Sequence, residues 1–190
     1  MSQAALSRIE QTLTLLCQRQ DEILERIARL ETRAAPGGAP SRQEVISFLD
    51  GFRAFEGLGE ASLGAWIGLC TTACLRGGLR TVQMREGIHA HLLEQRIKEL
   101  GATPAFEVPE AQQQELMGCL GSESLSDVEK LQRLVAKYPS ADAVVEPIEA
   151  FAARLGDDLE TQSLLRTIAQ DERSSASFLI DACTQLSGRA

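Results

Sequence analysis

A glutamate and a histidine three positions apart on a helix stand one turn from each other on one face, and Glu86-Gly87-Ile88-His89 has that spacing. The stripe they fall on is otherwise apolar: Val82, Glu86, His89, Leu93, Ile97, Leu100. A carboxylate set into an apolar seam is costly unless something neutralises it, and a metal ion is one such partner. Two further stripes carry the same interruption. One reads Leu49, Phe52, Glu56, Leu63, Ile67, Cys70, Cys74, with Glu60 beside it. The other reads Leu165, Ile168, Glu172, Ser175, Leu179, Cys183, Leu186. Inward acids on several helices, with one imidazole among them, are the ingredients of a carboxylate-rich metal site.

The segments 79–86 and 165–172, offset by 86 residues, share Leu, Arg, Thr and Glu, with Val82 facing Ile168 in the alignment. At the same offset Glu60 falls on Glu146 and Glu56 on Asp142. A duplicated helical hairpin is a natural origin for a four-helix bundle. The pattern resembles the ferritin-like di-iron carboxylate bundles, in which two helices each give one Glu and the other two each give Glu-x-x-His. That resemblance, over residues 42–186, implies an all-α antiparallel bundle made of two hairpins. It implies Glu60, or Glu56, as the first-helix ligand and Glu86 with His89 as the Glu-x-x-His. Glu146 would be the third-helix Glu, with Asp142 in reserve, and Glu172 the second bridging-type Glu. Iron or manganese is the implied metal, since hard carboxylates plus imidazole suit both. Iron handling, or redox chemistry in which iron activates dioxygen or peroxide, is the implied activity.

The chain departs from that pattern in places. Ser175 stands where the second His would be. Glu146 precedes Pro147, where helical geometry is disfavoured, and lies off the inward line of Val144, Ile148, Phe151 and Leu155. The competing reading is a metal-free bundle in which Glu86, His89 and Glu172 form a polar network with Arg53, Arg80 or Arg166 as countercharge. Such a bundle would serve as a structural or adaptor protein.

The elements that must position these residues are legible from caps and breakers. Ser41 with Glu44 and Ser126 with Glu129 are capping boxes. Gly101 and Pro104 stop the helix carrying Glu86, Pro109 and Glu110 open a short helix, and Pro139 breaks another after Tyr138. A helix over residues 141–155 contains Pro147, Gly156-Asp157 is a turn, and Asp157 with Glu160 caps a last helix to Leu186. The first hairpin turn has two registers. With the turn at Arg76-Gly77-Gly78, Glu86 and Glu60 differ in height by more than about 10 Å. With the turn at Cys70–Thr72 they come level, but Gly77-Gly78 must then lie inside a helix; the repeat favours this register.

Ahead of the bundle, Leu6, Ile9, Leu13, Leu16, Gln20, Ile23, Ile27 and Leu30 form an a/d heptad seam, which predicts a coiled-coil oligomerisation helix over residues 1–33. Residues 34–41, with two prolines and adjacent glycines, read as a linker. The 190-residue chain carries 19 Lys plus Arg against 27 Asp plus Glu, a net charge of −8 that disfavours nucleic acid as a partner. No apolar run predicts a membrane span or a secretory leader. Five cysteines set in apolar helical patterns read as reduced thiols and a cytoplasmic location. The expected partners are further copies of the chain, joined through residues 3–33, and a larger protein assembly. Deleting residues 1–33 is expected to convert an oligomer into a monomer in sedimentation. A full-length monomer, unchanged by the deletion, contradicts the heptad reading.

Overall fold

The computed structural model describes residues 38–188. The heptad arm over residues 1–33 and the linker up to Gly37 lie outside the described residues. The remainder is all-helical: α1 Arg42–Leu69, α2 Ala73–Glu99, α3 Glu110–Leu120, α4 Asp127–Val135, α5 Ala141–Arg154 and α6 Leu159–Ser187. Among the described residues no helix is long and apolar enough to cross a membrane.

Both capping boxes form. The Ser41 N–H donates to Glu44 Oε2 at 2.7 Å and the Glu44 N–H to Ser41 Oγ at 3.3 Å. Ser126 and Glu129 do the same at 2.8 and 3.2 Å. α5 runs through Pro147 as one helix. Two boundaries differ from expectation. α4 stops at Val135, before Tyr138. The cap of α6 is Asp158 and not Asp157: its carboxylate accepts the Thr161 N–H at 3.1 Å, while Gly156 takes the left-handed conformation (φ +51°) that turns the chain. The break between α1 and α2 parts Cys70 from Cys74, so the former is buried and the latter exposed.

That break falls at Cys70–Thr72, and Gly77 and Gly78 lie inside α2. Its cause is a contact remote in sequence. Asp127, at the start of α4, accepts the Thr71 and Thr72 N–H groups at 3.1 and 2.9 Å, both threonine hydroxyls, and the Trp66 indole N–H at 2.8 Å. Gly78 is needed inside α2 because the Phe178 ring of α6 occupies the place a Cβ would take.

Helix directions follow from the ends that meet. The end of α2 meets the start of α6, where Arg96 donates to Asp158 and Thr161 at 2.9 and 2.8 Å. α4 begins beside the α1–α2 turn, and Leu155, after α5, packs near Val45 and Ile97 at the opposite end. α4 and α5 therefore run in the direction of α2, and α6 returns against them. Residues 100–126 cross the length of the bundle to make this possible. They lie along α1, pinned where Asp50 accepts the Ala105 and Phe106 N–H groups at 2.8 and 2.7 Å and Arg53 donates to the Phe106 carbonyl at 2.8 Å.

The apolar interior is in two parts. One gathers Leu49, Leu93, Ile97, Val145, Leu165 and Ile168, the other Leu63, Trp66, Leu75, Leu79, Val82 and Leu131. Glu56, His89 and Glu172 fall between them along α1, α2 and α6.

Burial alone would raise the Asp127 carboxyl, but its hydrogen bonds to Thr72, Trp66 and Thr71 hold it at about 2, against an ordinary 3.8. A folded value below the unfolded one stabilises above about pH 4, and the gain is lost as pH falls through about 2. Acid titration of unfolding is expected to show about 2 kcal/mol of this kind in the wild type and none in Asp127→Asn. Equal slopes for the two proteins between pH 4 and pH 2 would contradict the assignment.

Candidate metal centre

His89 is 2 % exposed and stands at the middle of the site. Its Nδ1 lies 3.0 Å from Glu56 Oε2 on α1 and 3.1 Å from Glu172 Oε1 on α6; its Nε2 lies 3.3 Å from Asp171 Oδ2. One N–H cannot point along two lines. Nδ1 bonds Glu56, while Glu172 Oε1 is buried and, among the described residues, has no hydrogen-bond partner, held by ion-pair attraction to the ring. The same Nδ1 thus has two carboxylate oxygens beside it, one of them unsatisfied.

Glu86 is the fourth member. Its carboxyl turns towards α1, into the space left by the missing side chain of Gly59. Burial, then the charges of Glu56 and Glu172, hold Glu86 well above the usual carboxylate range. Burial also pushes Glu56 up, with Glu172 adding to the effect and His89 opposing it, to about 7. For His89, burial favours the neutral ring, but Glu172, Glu56 and Asp171 outweigh it and push the imidazole up to about 10. Without a metal the ring is an imidazolium among acids.

Glu56, His89 and Glu172 can each turn one ligand atom toward a common point, these atoms lying within 4.8 Å of one another. The geometry suits an ion. A cation about 2.1 Å from each donor sets neighbouring donors about 3.0 Å apart in an octahedron and about 3.4 Å apart in a tetrahedron. The two Nδ1–oxygen separations lie in that range. The unsatisfied Glu172 oxygen is the kind of buried atom that a cation would satisfy.

The remaining candidates are elsewhere. Glu60 is exposed, its carboxylate resting over Gly87, where a Cβ would come 2.7 Å from Oε1. Glu146 is exposed on α5, on the side away from the core that Val145 and Ile148 enter. Asp142 is at the surface, bound to Arg173 at 2.8 Å. Arg80 and Arg166 are exposed, and Arg53 serves Asp50 and the crossover, so none of these three is the countercharge. Arg85 is the arginine at the site. It donates to Ser175 Oγ at 3.2 Å and to the Asp171 carbonyl at 3.4 Å, and its Nε lies 3.7 Å from Asp171 Oδ1.

Arg85 and Asp171 are the residues that sequence reasoning missed, although the 86-residue repeat held the signal. It pairs Arg85 with Asp171, Glu86 with Glu172 and His89 with Ser175. The His89–Asp171 contact therefore has its repeat counterpart in Ser175–Arg85, and both contacts are present.

No protein-family model matches the chain, and no curated protein matches it in sequence.

The close approach of Glu86 to Gly59 gives a test. An alanine inside a helix is worth about 1 kcal/mol over glycine. In a Glu86→Ala background, Gly59→Ala is expected to add about that much stability. In the wild type the new methyl collides with the Glu86 carboxyl, so the gain is expected to vanish or reverse. Additive effects in a denaturant double-mutant cycle would show that Glu86 does not occupy that space.

Proposed function

We propose that the protein is a ferritin-like metal-binding protein that carries iron or manganese in this cluster and works in iron handling or oxygen-dependent redox chemistry. Glu56, Glu86, His89 through Nδ1, and Glu172 would hold the ion, and three oxygen donors with one imidazole favour these hard metals. The observation that carries the reading is that three separate helices converge on His89 Nδ1 with two carboxylate oxygens, one of them buried without a hydrogen bond. The pairing of α1 with α2 and of α5 with α6, joined by one long crossover, supports the ferritin-like comparison. The proposed assembly is a homo-oligomer through residues 3–33.

When bound, iron supplies a change of oxidation state towards dioxygen or peroxide. The chain's own part is electrostatic. His89 holds a proton that competes with a cation and would be given up on loading. Asp171, against His89 Nε2, fixes the ring so that Nδ1 faces the carboxylates. The apolar clusters on either side keep water from the donors.

A second reading is favoured by Arg85, which already supplies positive charge beside the acids: a metal-free structural or adaptor bundle. Metal analysis of full-length protein purified gently, without chelators, separates the two. A whole-number content of iron or manganese, lost in Glu86→Ala/His89→Ala, is expected. A substoichiometric content, unchanged in that variant, contradicts the metal reading and leaves the adaptor.

A further inference from the structure

The repeat sets two half-sites side by side, and their contents differ in sign. In the first, α2 gives His89, its outer nitrogen 3.3 Å from the Asp171 carboxylate, and α1 gives Glu56, 4 % exposed. In the second, the His89 counterpart is Ser175, 3 % exposed, and the Asp171 counterpart is Arg85, whose Nη1 lies 3.2 Å from the serine hydroxyl. The Glu56 counterpart, Asp142, has an 82 % exposed side chain and is taken by Arg173. Where the first half offers an imidazole, a buried carboxylate and an acid behind the ring, the second offers a hydroxyl and a guanidinium. Arginine cannot be deprotonated in a protein and cannot act as a ligand. Only Glu86 and Glu172 remain for a second ion, and Arg85 sets a fixed positive charge beside Ser175, where its other ligand would be.

Resting on the metal reading above, we infer that the centre is built for one ion, and that Arg85 and Ser175 together set this number, the serine by replacing a ligand and the arginine by standing as a permanent second cation. A guanidinium there balances the acids that a second metal would otherwise balance. It also repels the first ion. Like charges in a partly buried setting repel with little screening, so the effect on affinity is measurable.

The test is titration of the full-length, metal-free protein with cobalt(II) and with manganese(II), followed by calorimetry and by cobalt absorption. The wild type is expected to take one equivalent. Arg85→Gln, close in shape but neutral, is expected to keep one equivalent and to bind it at least about threefold more tightly. Arg85→Asp/Ser175→His, which copies the imidazole and its backing acid into the second half-site beside Glu86 and Glu172, is expected to take two. Circular dichroism shows whether that double variant folds; if it does not, the wild-type stoichiometry and the Arg85→Gln affinity decide. Two equivalents in the wild type would overturn the inference and leave the metal reading standing. One equivalent in a folded double variant would overturn the role of Arg85 and Ser175, and an unchanged affinity in Arg85→Gln that of Arg85 alone. No binding by the wild type would overturn the metal reading and this inference together.

Discussion

The costliest arrangement in the molecule is the burial of His89 against Glu56 and Glu172, with Glu86 pressed behind them. Removing one partner from a buried charge pair costs about 3–5 kcal/mol, because the charge left behind has no water to turn to. Much of the bundle follows from meeting that constraint. The apolar interior is divided into two parts because a charged layer separates them. Gly59 has no side chain because the Glu86 carboxyl needs the space. α1, α2 and α6 must come level at residues 56, 89 and 172, and the Asp127 latch on Thr71 and Thr72 sets where α1 ends and α2 begins. A shift of that break by one turn would move Glu56 about 5 Å from His89.

Much of this was legible in the sequence, because it rests on local chemistry. Ser41 with Glu44 and Ser126 with Glu129 are self-contained caps, and each opens the helix it predicts. Heptad-like spacing put Glu86 and His89 on one face, and the repeat chose the correct hairpin register against the two glycines that argued for another. What was not legible depends on contacts across the fold. Asp127 stops α1 from 55 residues away, through Thr72. Arg85 reaches Ser175 across 90 residues. Glu60 and Glu56 lie just over one turn apart on α1, and only the rotation of α1 against α2 decides that Glu56 turns inward while Glu60 lies over Gly87. Glu146 was carried by the repeat alignment, yet its helix rotates it to solvent.

The two halves of the repeat have kept their helices and changed their charges. His89 with Asp171 and Ser175 with Arg85 occupy equivalent positions, but one pair presents an imidazole backed by an acid and the other a hydroxyl beside a cation. The asymmetry bears on both functional readings, since Arg85 places a positive charge against Asp171 and Ser175 on the side of the site that lacks an imidazole. Protons do the same work on the other side of the site. Burial and the neighbouring acids push the Glu86 carboxyl up, and the same acids push the His89 imidazole up to about 10, so protons on these groups offset charge that an ion would otherwise offset.

X-ray absorption at the metal edge of iron- or manganese-loaded full-length protein tests the central claim most directly, because it reads the ligands of the ion itself. The account predicts a first shell of oxygen donors with one imidazole nitrogen, and no second metal within about 4 Å. A shell without imidazole would place the ion elsewhere than at His89, and a metal–metal distance of about 3.5–4 Å would contradict a centre built for one ion.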